Sequence, residues 1–221
     1  MSDAPTLVSS AHFDYIAERT AGDDAFLADL KQAARDAGIP PIWVNAAQLS
    51  FMQVLLKLVG AREVLEVGTL AGSTAIGLAR ALPEGGRVRT VELEPKHASF
   101  AEDWVARSDV AERVQVIRGA GQDVLPALPD GELDALFLDA DKAGYVDYVE
   151  QGRRLLRPGG LLMVDNAFAF GQLFDDTPTD REAGAVRAFN DRMASQAHGD
   201  DAPFQAIIVP LGDGMWVGVR R

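Results

Sequence analysis

The 221-residue chain is 48% hydrophobic and 24% charged, the balance of a globular protein, which excludes extended disorder. Its 33 acidic residues against 21 basic ones leave a net charge of −12, which argues against a nucleic-acid backbone or an anionic membrane surface as a partner. It has no cysteine, so disulfides, thiolate metal sites and cysteine nucleophiles are excluded.

No apolar run approaches the roughly 18 residues of a spanning helix. Met1–Pro5 carries an acid and leads into no apolar stretch of the secretory kind, so the cytoplasm is the expected location. One domain is expected over 1–221, with a helical N-terminal extension over 1–60 and a core over 61–221. The extension contains two or three helices, among them Asp23–Ala37 and Ala46–Val59. The core then alternates β-branched runs with helical ones. Strands are expected at Arg62–Val67, Arg87–Glu92, Arg113–Arg118, Leu133–Asp139 and Gly160–Asp165. Helices between them are expected at Gly72–Leu82, Pro95–Arg107, Gln122–Ala127 and Ala143–Arg157. Regular β-α-β alternation is the pattern of a parallel sheet covered on both faces, and runs such as Ala135–Leu138 and Leu161–Val164 are apolar throughout, as doubly covered strands are. A helix over Asp180–Gln196 follows. Phe204–Val209 and Met215–Val219 flank an Asp213-Gly214 turn signal and read as an antiparallel pair. The expected fold is an α/β, Rossmann-like, seven-stranded mixed sheet, mostly parallel, closed by an antiparallel C-terminal hairpin.

Ligands of such sheets bind outside the carboxyl ends of the strands. Four of these ends carry acids: Glu66, Glu92, Asp139 with Asp141, and Asp165 followed by Asn166. Strands are about 4.8 Å apart, so these carboxylates converge, and they raise one another's pKa unless a cation or hydrogen-bond donors satisfy them. Gly68 and Gly72 bracket a strand-to-helix turn with G-x-x-x-G spacing, which is neither the dinucleotide fingerprint nor a phosphate loop. Glu92 ends the next strand, where an acid accepts hydrogen bonds from a ribose diol; turn and acid together suggest a ligand with an adenosine-like end. Asp139, Asp165 and Asn166 form an all-oxygen set suited to a hard divalent cation, Mg²⁺ first, then Ca²⁺ or Mn²⁺. The alternative for Asp165-Asn166 is a loop cap, since both residue types favour turns.

These residues in this order resemble the cation-dependent, S-adenosylmethionine-dependent O-methyltransferases, the family of the caffeoyl-CoA and catechol O-methyltransferases and their small bacterial relatives. The resemblance runs from about Ile42 to Arg221. It is carried by Val64–Thr69, by Asp139–Lys142 with Tyr145, by Arg157–Gly160 leading to Asp165-Asn166, and by Leu211–Gly214. It implies that Glu66, Gly68 and Thr69 line the methionine side of the cofactor and that Thr74 meets its carboxylate. It further implies that Glu92 takes the ribose hydroxyls, that Gly121 and Gln122 lie beside the adenine, and that Ile42 gives a backbone contact. Asp139, Asp165 and Asn166 become the metal ligands and Lys142 the general base. A small phenolic acceptor and a homodimer are implied as well.

The chain departs from the family pattern at Val44–Gln48, at Ser73 and at Ala167–Gly171, which leaves the acceptor pocket open. Phe168, Phe170 and Phe174 either form an aromatic lid or pack on the N-terminal helices, and Trp43 is a further pocket candidate. Tyr145 and Tyr148 share a helix face and read as packing residues. His12, His97 and His198 show no ligand spacing and read as surface or helix residues, and Asp175-Asp176 reads as a solvated loop pair. Two rival functions are a nicotinamide-dependent oxidoreductase, disfavoured by the missing fingerprint, and a catalytically idle cofactor-binding module.

Overall fold

The structure, a computed structural model, describes residues 8–197, 199 and 201–221. His198 and Met1–Pro5 therefore lie outside the described residues. Three helices precede the sheet: α1 (Ser10–Ala17), α2 (Ala25–Asp36) and α3 (Ala46–Val59). Their starts follow from capping chemistry. Asp24 accepts the Leu27 N–H at the head of α2, and at the head of α3 Asn45 and Gln48 exchange side-chain and backbone hydrogen bonds in a capping box.

The sheet is built from β1 (Glu63–Val67), β2 (Arg87–Glu92), β3 (Val114–Arg118), β4 (Leu133–Leu138), β5 (Leu156–Val164), β6 (Phe204–Val209) and β7 (Met215–Arg220). The intervening helices are α4 (Ser73–Ala81), α5 (Pro95–Ala106), the single turn α6 (Gly121–Val124), α7 (Tyr145–Leu155) and α8 (Ala183–Ala197). The strand order is β3-β2-β1-β4-β5-β7-β6. The chain moves outward from β1 to β3 and then returns to the other side of β1 at β4. That reversal opens a crevice between β1 and β4, at the carboxyl ends where ligands of such sheets bind.

Two expectations are refined. β7 runs antiparallel to both β5 and β6, so it slots between them and is the one reversed strand of the seven. β5 begins at Leu156 rather than Gly160, because Leu156 already pairs with Leu133 before the register shifts and resumes with Leu161 opposite Ala135. Gly159, at φ +77°, lies in that bulge.

Burial alternates along β4. Ala135 and Phe137 face the layer that includes Leu30, Met52 and Ile76, whereas Leu136 and Leu138 face the layer with Tyr145, Leu155 and Phe189. Both faces are thus covered, which explains the unbroken apolar run. Rigid packing below the sheet's carboxyl edge fixes the positions of Val67, Glu92, Asp139 and Asp165 above it. No helix of the described residues is long and apolar enough to cross a membrane.

Candidate active site

A cavity of about 1040 Å³ opens at the carboxyl edge. Of the residues singled out above it gathers Ile42, Trp43, Gly68, Thr69, Thr74, Glu92, Gly121, Gln122, Asp139, Lys142, Asp165, Asn166 and Phe170. Glu66, Phe168 and Phe174 do not line it. Glu66 is fully buried beneath the floor, and Phe168 lies against Gly214.

On the β1–β2 side the chain folds onto itself. Gly68 and Thr69 both aim their N–H groups at the Val91 carbonyl, and Gly72 N–H donates to the Thr69 carbonyl to close the turn. A Cβ on Gly68 would stand 2.0 Å from the Asp139 carbonyl oxygen, and its φ of +104° is itself unfavourable for other residues, so only glycine fits between β1 and β4 here. Glu92 accepts Leu70 N–H at 2.8 Å through one oxygen and Glu94 N–H at 2.9 Å through the other. Its carboxylate is therefore fixed, with lone pairs left for a ligand. His97, read from sequence as a surface or helix residue, does sit on α5, but it also lines the cavity with Nδ1 3.7 Å from Glu92. Glu66 accepts from Thr90 Oγ1 at 2.5 Å, while its other oxygen has no partner. Burial pushes its carboxyl up to about 8; the Thr90 hydrogen bond opposes the shift, and the charges of Asp139 and Glu92 add to it.

On the β4–β5 side the parts come from afar. Asp141 caps a turn of 3₁₀ helix, Lys142–Gly144, by accepting Gly144 N–H. That turn carries Lys142 inward. Its Nζ is buried, 3.0 Å from Asp139 Oδ1 and 2.7 Å from the Tyr145 hydroxyl. Tyr145 does pack, edge-on to Phe189, but it also holds the lysine. Burial and the surrounding carboxylates keep its phenol well above the ordinary range, so it stays neutral. The Tyr148 hydroxyl donates to Asp141 at 2.7 Å. Asp165 accepts Gln48 Nε2 at 2.9 Å, across 117 residues of chain. Burial and the charge of Asp139 push its carboxyl up to about 7, against the opposing effects of the Asn166 N–H, Lys142 and Gln48. Asn166 sits at φ +66°, its Nδ2 donating to Asp213 Oδ2 at 3.2 Å.

Among the described residues no three His, Cys, Asp or Glu side chains gather as a metal cluster. The set here is two carboxylates and an amide. Asp165 is forced toward its neutral form partly by Asp139, and the Asn166 amide oxygen is uncommitted because its nitrogen faces Asp213. Two mutually opposed carboxylates beside a free amide oxygen are chemically suited to a hard cation.

A sequence profile described as O-methyltransferase matches residues 17–221. The chain belongs to the O-methyltransferase family. It is 38% identical over 202 residues to a catechol O-methyltransferase of Niastella koreensis, covering 90% of this chain and 91% of the relative. A catechol O-methyltransferase of Mycobacterium tuberculosis is also 38% identical, over 200 residues and 90% of each chain. The solved O-methyltransferase of Bacillus cereus in complex with SAH superposes with a TM-score of 0.84 at 31% identity, covering 96% of this chain and 97% of that one. This O-methyltransferase is accordingly an S-adenosylmethionine-dependent enzyme of hydroxyl methylation.

Sequence reasoning gave Gln48 and Asp213 no place in the site, although both lie in segments it had singled out, Asp213 as part of a turn signal. Nothing local marks them, since their partners are 117 and 47 residues away. Of the aromatic trio, Phe170 lines the cavity, Phe168 packs under the β6–β7 turn, and Phe174 is 92% exposed. Asp175 and Asp176 are exposed, in keeping with a solvated pair.

Proposed function

We propose that this O-methyltransferase moves the methyl group of S-adenosylmethionine to one hydroxyl of a catechol-like or other phenolic small molecule, with a divalent cation at the site. The observation that carries the reading is the buried Lys142 Nζ between Asp139 and Tyr145, beside Asp165 and Asn166, in the same cavity as the Gly68 turn and Glu92. The names of the relatives support a catechol-type acceptor.

In this reading Glu92 takes the ribose diol. The turn Gly68-Thr69 and Thr74 take the methionine end, with Glu66 acting from beneath the floor. Gly121 and Gln122 flank the adenine, and Ile42 and Trp43 close the cavity from the pre-sheet segment. Asp139, Asp165 and Asn166 would hold the cation, Mg²⁺ first, and Ca²⁺ or Mn²⁺ next. When bound, it supplies positive charge that favours the ionised hydroxyl over the neutral one. Lys142 has two hydrogen-bond partners, which leaves a third position for the acceptor hydroxyl. Charged, it attracts an oxyanion; neutral, it takes the hydroxyl proton at Nζ. Tyr145 and Asp139 hold that nitrogen in place, where it would orient the acceptor hydroxyl. The family resemblance also supports a homodimer, which sedimentation would test.

The deciding experiment is methyl transfer from S-adenosylmethionine to a simple catechol acid, with Mg²⁺ and with excess EDTA. Turnover that EDTA abolishes is expected. Equal turnover under both conditions would remove the cation and keep the transferase.

A further inference from the structure

Asp213 lies in the connection between β6 and β7, remote in sequence from every strand end that carries an acid. Its backbone and side chain nonetheless hold the segment after β5 at several points. Its carbonyl accepts Phe168 N–H at 2.8 Å, and the next carbonyl, of Gly214, accepts Ala167 N–H at 2.9 Å. Its Oδ2 accepts Phe170 N–H at 2.8 Å and Asn166 Nδ2 at 3.2 Å, and its Oδ1 accepts Gly171 N–H at 3.2 Å. The segment it holds contains three non-glycine residues in the left-handed region, Asn166 at +66°, Ala169 at +54° and Phe170 at +59°. Such a backbone persists where its surroundings over-determine it. A carboxylate can only accept, so the nitrogen of the Asn166 amide must face Asp213 and its oxygen must face away.

The same turn reaches the other donor. Gly212, at φ +60°, lies so close to Gln48 that a Cβ there would meet the amide at 2.3–2.5 Å. Gln48 is almost fully buried, and its two amide ends are committed. The oxygen accepts Asn45 N–H at 3.3 Å, and the nitrogen donates to Asp165 Oδ1 at 2.9 Å. Asp165 Oδ1 is thereby held from the side of α3.

We propose that Gln48 and Asp213, brought together by the Gly212–Gly214 turn, are positioning residues that hold Asp165 and Asn166 with one oxygen each directed to a divalent cation. This inference rests on the cation site proposed above. It assigns the C-terminal hairpin a task in the reaction: the turn braces the donor set from one side and the acceptor-facing segment at Phe170 from the other. Partners that orient metal ligands typically change metal affinity by 10–100-fold when removed.

The test uses the full chain and Mn²⁺ as the probe, followed by electron paramagnetic resonance, with S-adenosylmethionine binding measured by calorimetry on the same samples. The variants are Gln48→Met and Asp213→Asn, each checked by circular dichroism and Tm. A folded variant should bind Mn²⁺ about tenfold or more weakly, with cofactor affinity within about twofold of the parent. Either variant, if folded, suffices. Should both lose the native fold, Gln48→Asn, which stays an uncharged amide but is one methylene too short to bridge Asn45 and Asp165, takes their place. Mn²⁺ affinity within about twofold of the parent in the folded variants would overturn the proposal and leave the cation site standing. Equal loss of Mn²⁺ and cofactor binding would also overturn it, as the mark of general structural damage. A parent protein that binds no Mn²⁺ would overturn the cation site, and this inference with it.

Discussion

The two halves of the cavity are held together by different means. On the β1–β2 side the decisive contacts join residues 21 to 24 positions apart: Thr69 with Thr90, Leu70 with Glu92, Glu66 with Thr90. One β-α-β unit makes these contacts within itself. On the β4–β5 side Asp165 depends on a residue 117 positions away, and Asn166 on one 47 away. The Asp165-Asn166 pair is held in place only once α3, β5 and the β6–β7 turn have met, although Lys142 is held by near neighbours. A locally built half should tolerate damage to the remote one, and the converse should hold as well.

Lys142→Met attacks the remote half at the residue proposed above as the general base. Loss of a general base and its charge lowers kcat by about 10²–10⁴-fold. The local half should not register the change, so the Kd for S-adenosylmethionine stays within about twofold. Stopped assays for kcat and calorimetry for Kd check the pair. A large loss of cofactor binding would mean that the halves are not separable.

Glu92→Gln is the mirror experiment. It keeps the shape of the side chain but removes its charge and one of the two acceptors that meet the Leu70 and Glu94 N–H groups. Hydrogen bonds to charged groups contribute about 1.5–3 kcal/mol, so the cofactor Kd should rise roughly 10- to 100-fold. Divalent-cation binding measured without cofactor should not move.

The same division explains what could be read from the sequence. Every strand and the helices from α2 onward were legible in outline, because both faces of the sheet are covered and α2, α3 and α5 start at side-chain caps, whereas α1 was not placed. Glu92, Asp139 and Asp165 were legible too, since a strand end followed by an acid is a local pattern. Gln48 and Asp213 had no such mark. An amide at a helix start reads as a cap, which Gln48 also is, and an aspartate before glycine reads as a turn residue, which Asp213 also is. Their second tasks depend on tertiary neighbours. Tyr145 was masked likewise: its ring packs as its helical position suggests, and only the hydroxyl reaches Lys142. The place of β7 between β5 and β6 was hidden too, because a hairpin signal does not say which of its strands faces the sheet.

Glu66 sits where the halves meet, since the charges of both Glu92 and Asp139 act on it. Folded, its carboxyl titrates near 8, against an ordinary value of 4.5. Between those values the native state holds a proton that the unfolded chain has released. Its contribution to stability is therefore fully present below about 4.5 and is lost as pH rises through about 8. Glu66→Gln is neutral throughout and lacks this dependence. The Tm of the variant minus that of the parent should grow between about pH 5 and pH 9, at roughly 2–4 °C for each kcal/mol. Asp165 titrates with the same sign in both proteins and cancels in the difference. A difference independent of pH would mean that Glu66 is ionised in the native state and that the halves do not meet through it.

The smallest effects belong to the aromatic residues after β5, and they test how far the remote half extends. Phe170 is 37% exposed and lines the cavity, and its backbone is held by Asp213. Partial burial of a phenyl ring corresponds to roughly 1 kcal/mol, so Phe170→Ala should raise the acceptor KM about fivefold with kcat little changed. Phe174, at 92% exposure, makes no such contribution, and Phe174→Ser should leave both constants as they are. Phe168 packs under Gly214 without lining the cavity, so Phe168→Leu should act on Tm before it acts on KM. The three measurements together locate the acceptor. An effect at Phe174 equal to that at Phe170 would mean that the whole segment closes over the acceptor as a lid, and the remote half would then extend beyond the residues that the β6–β7 turn holds.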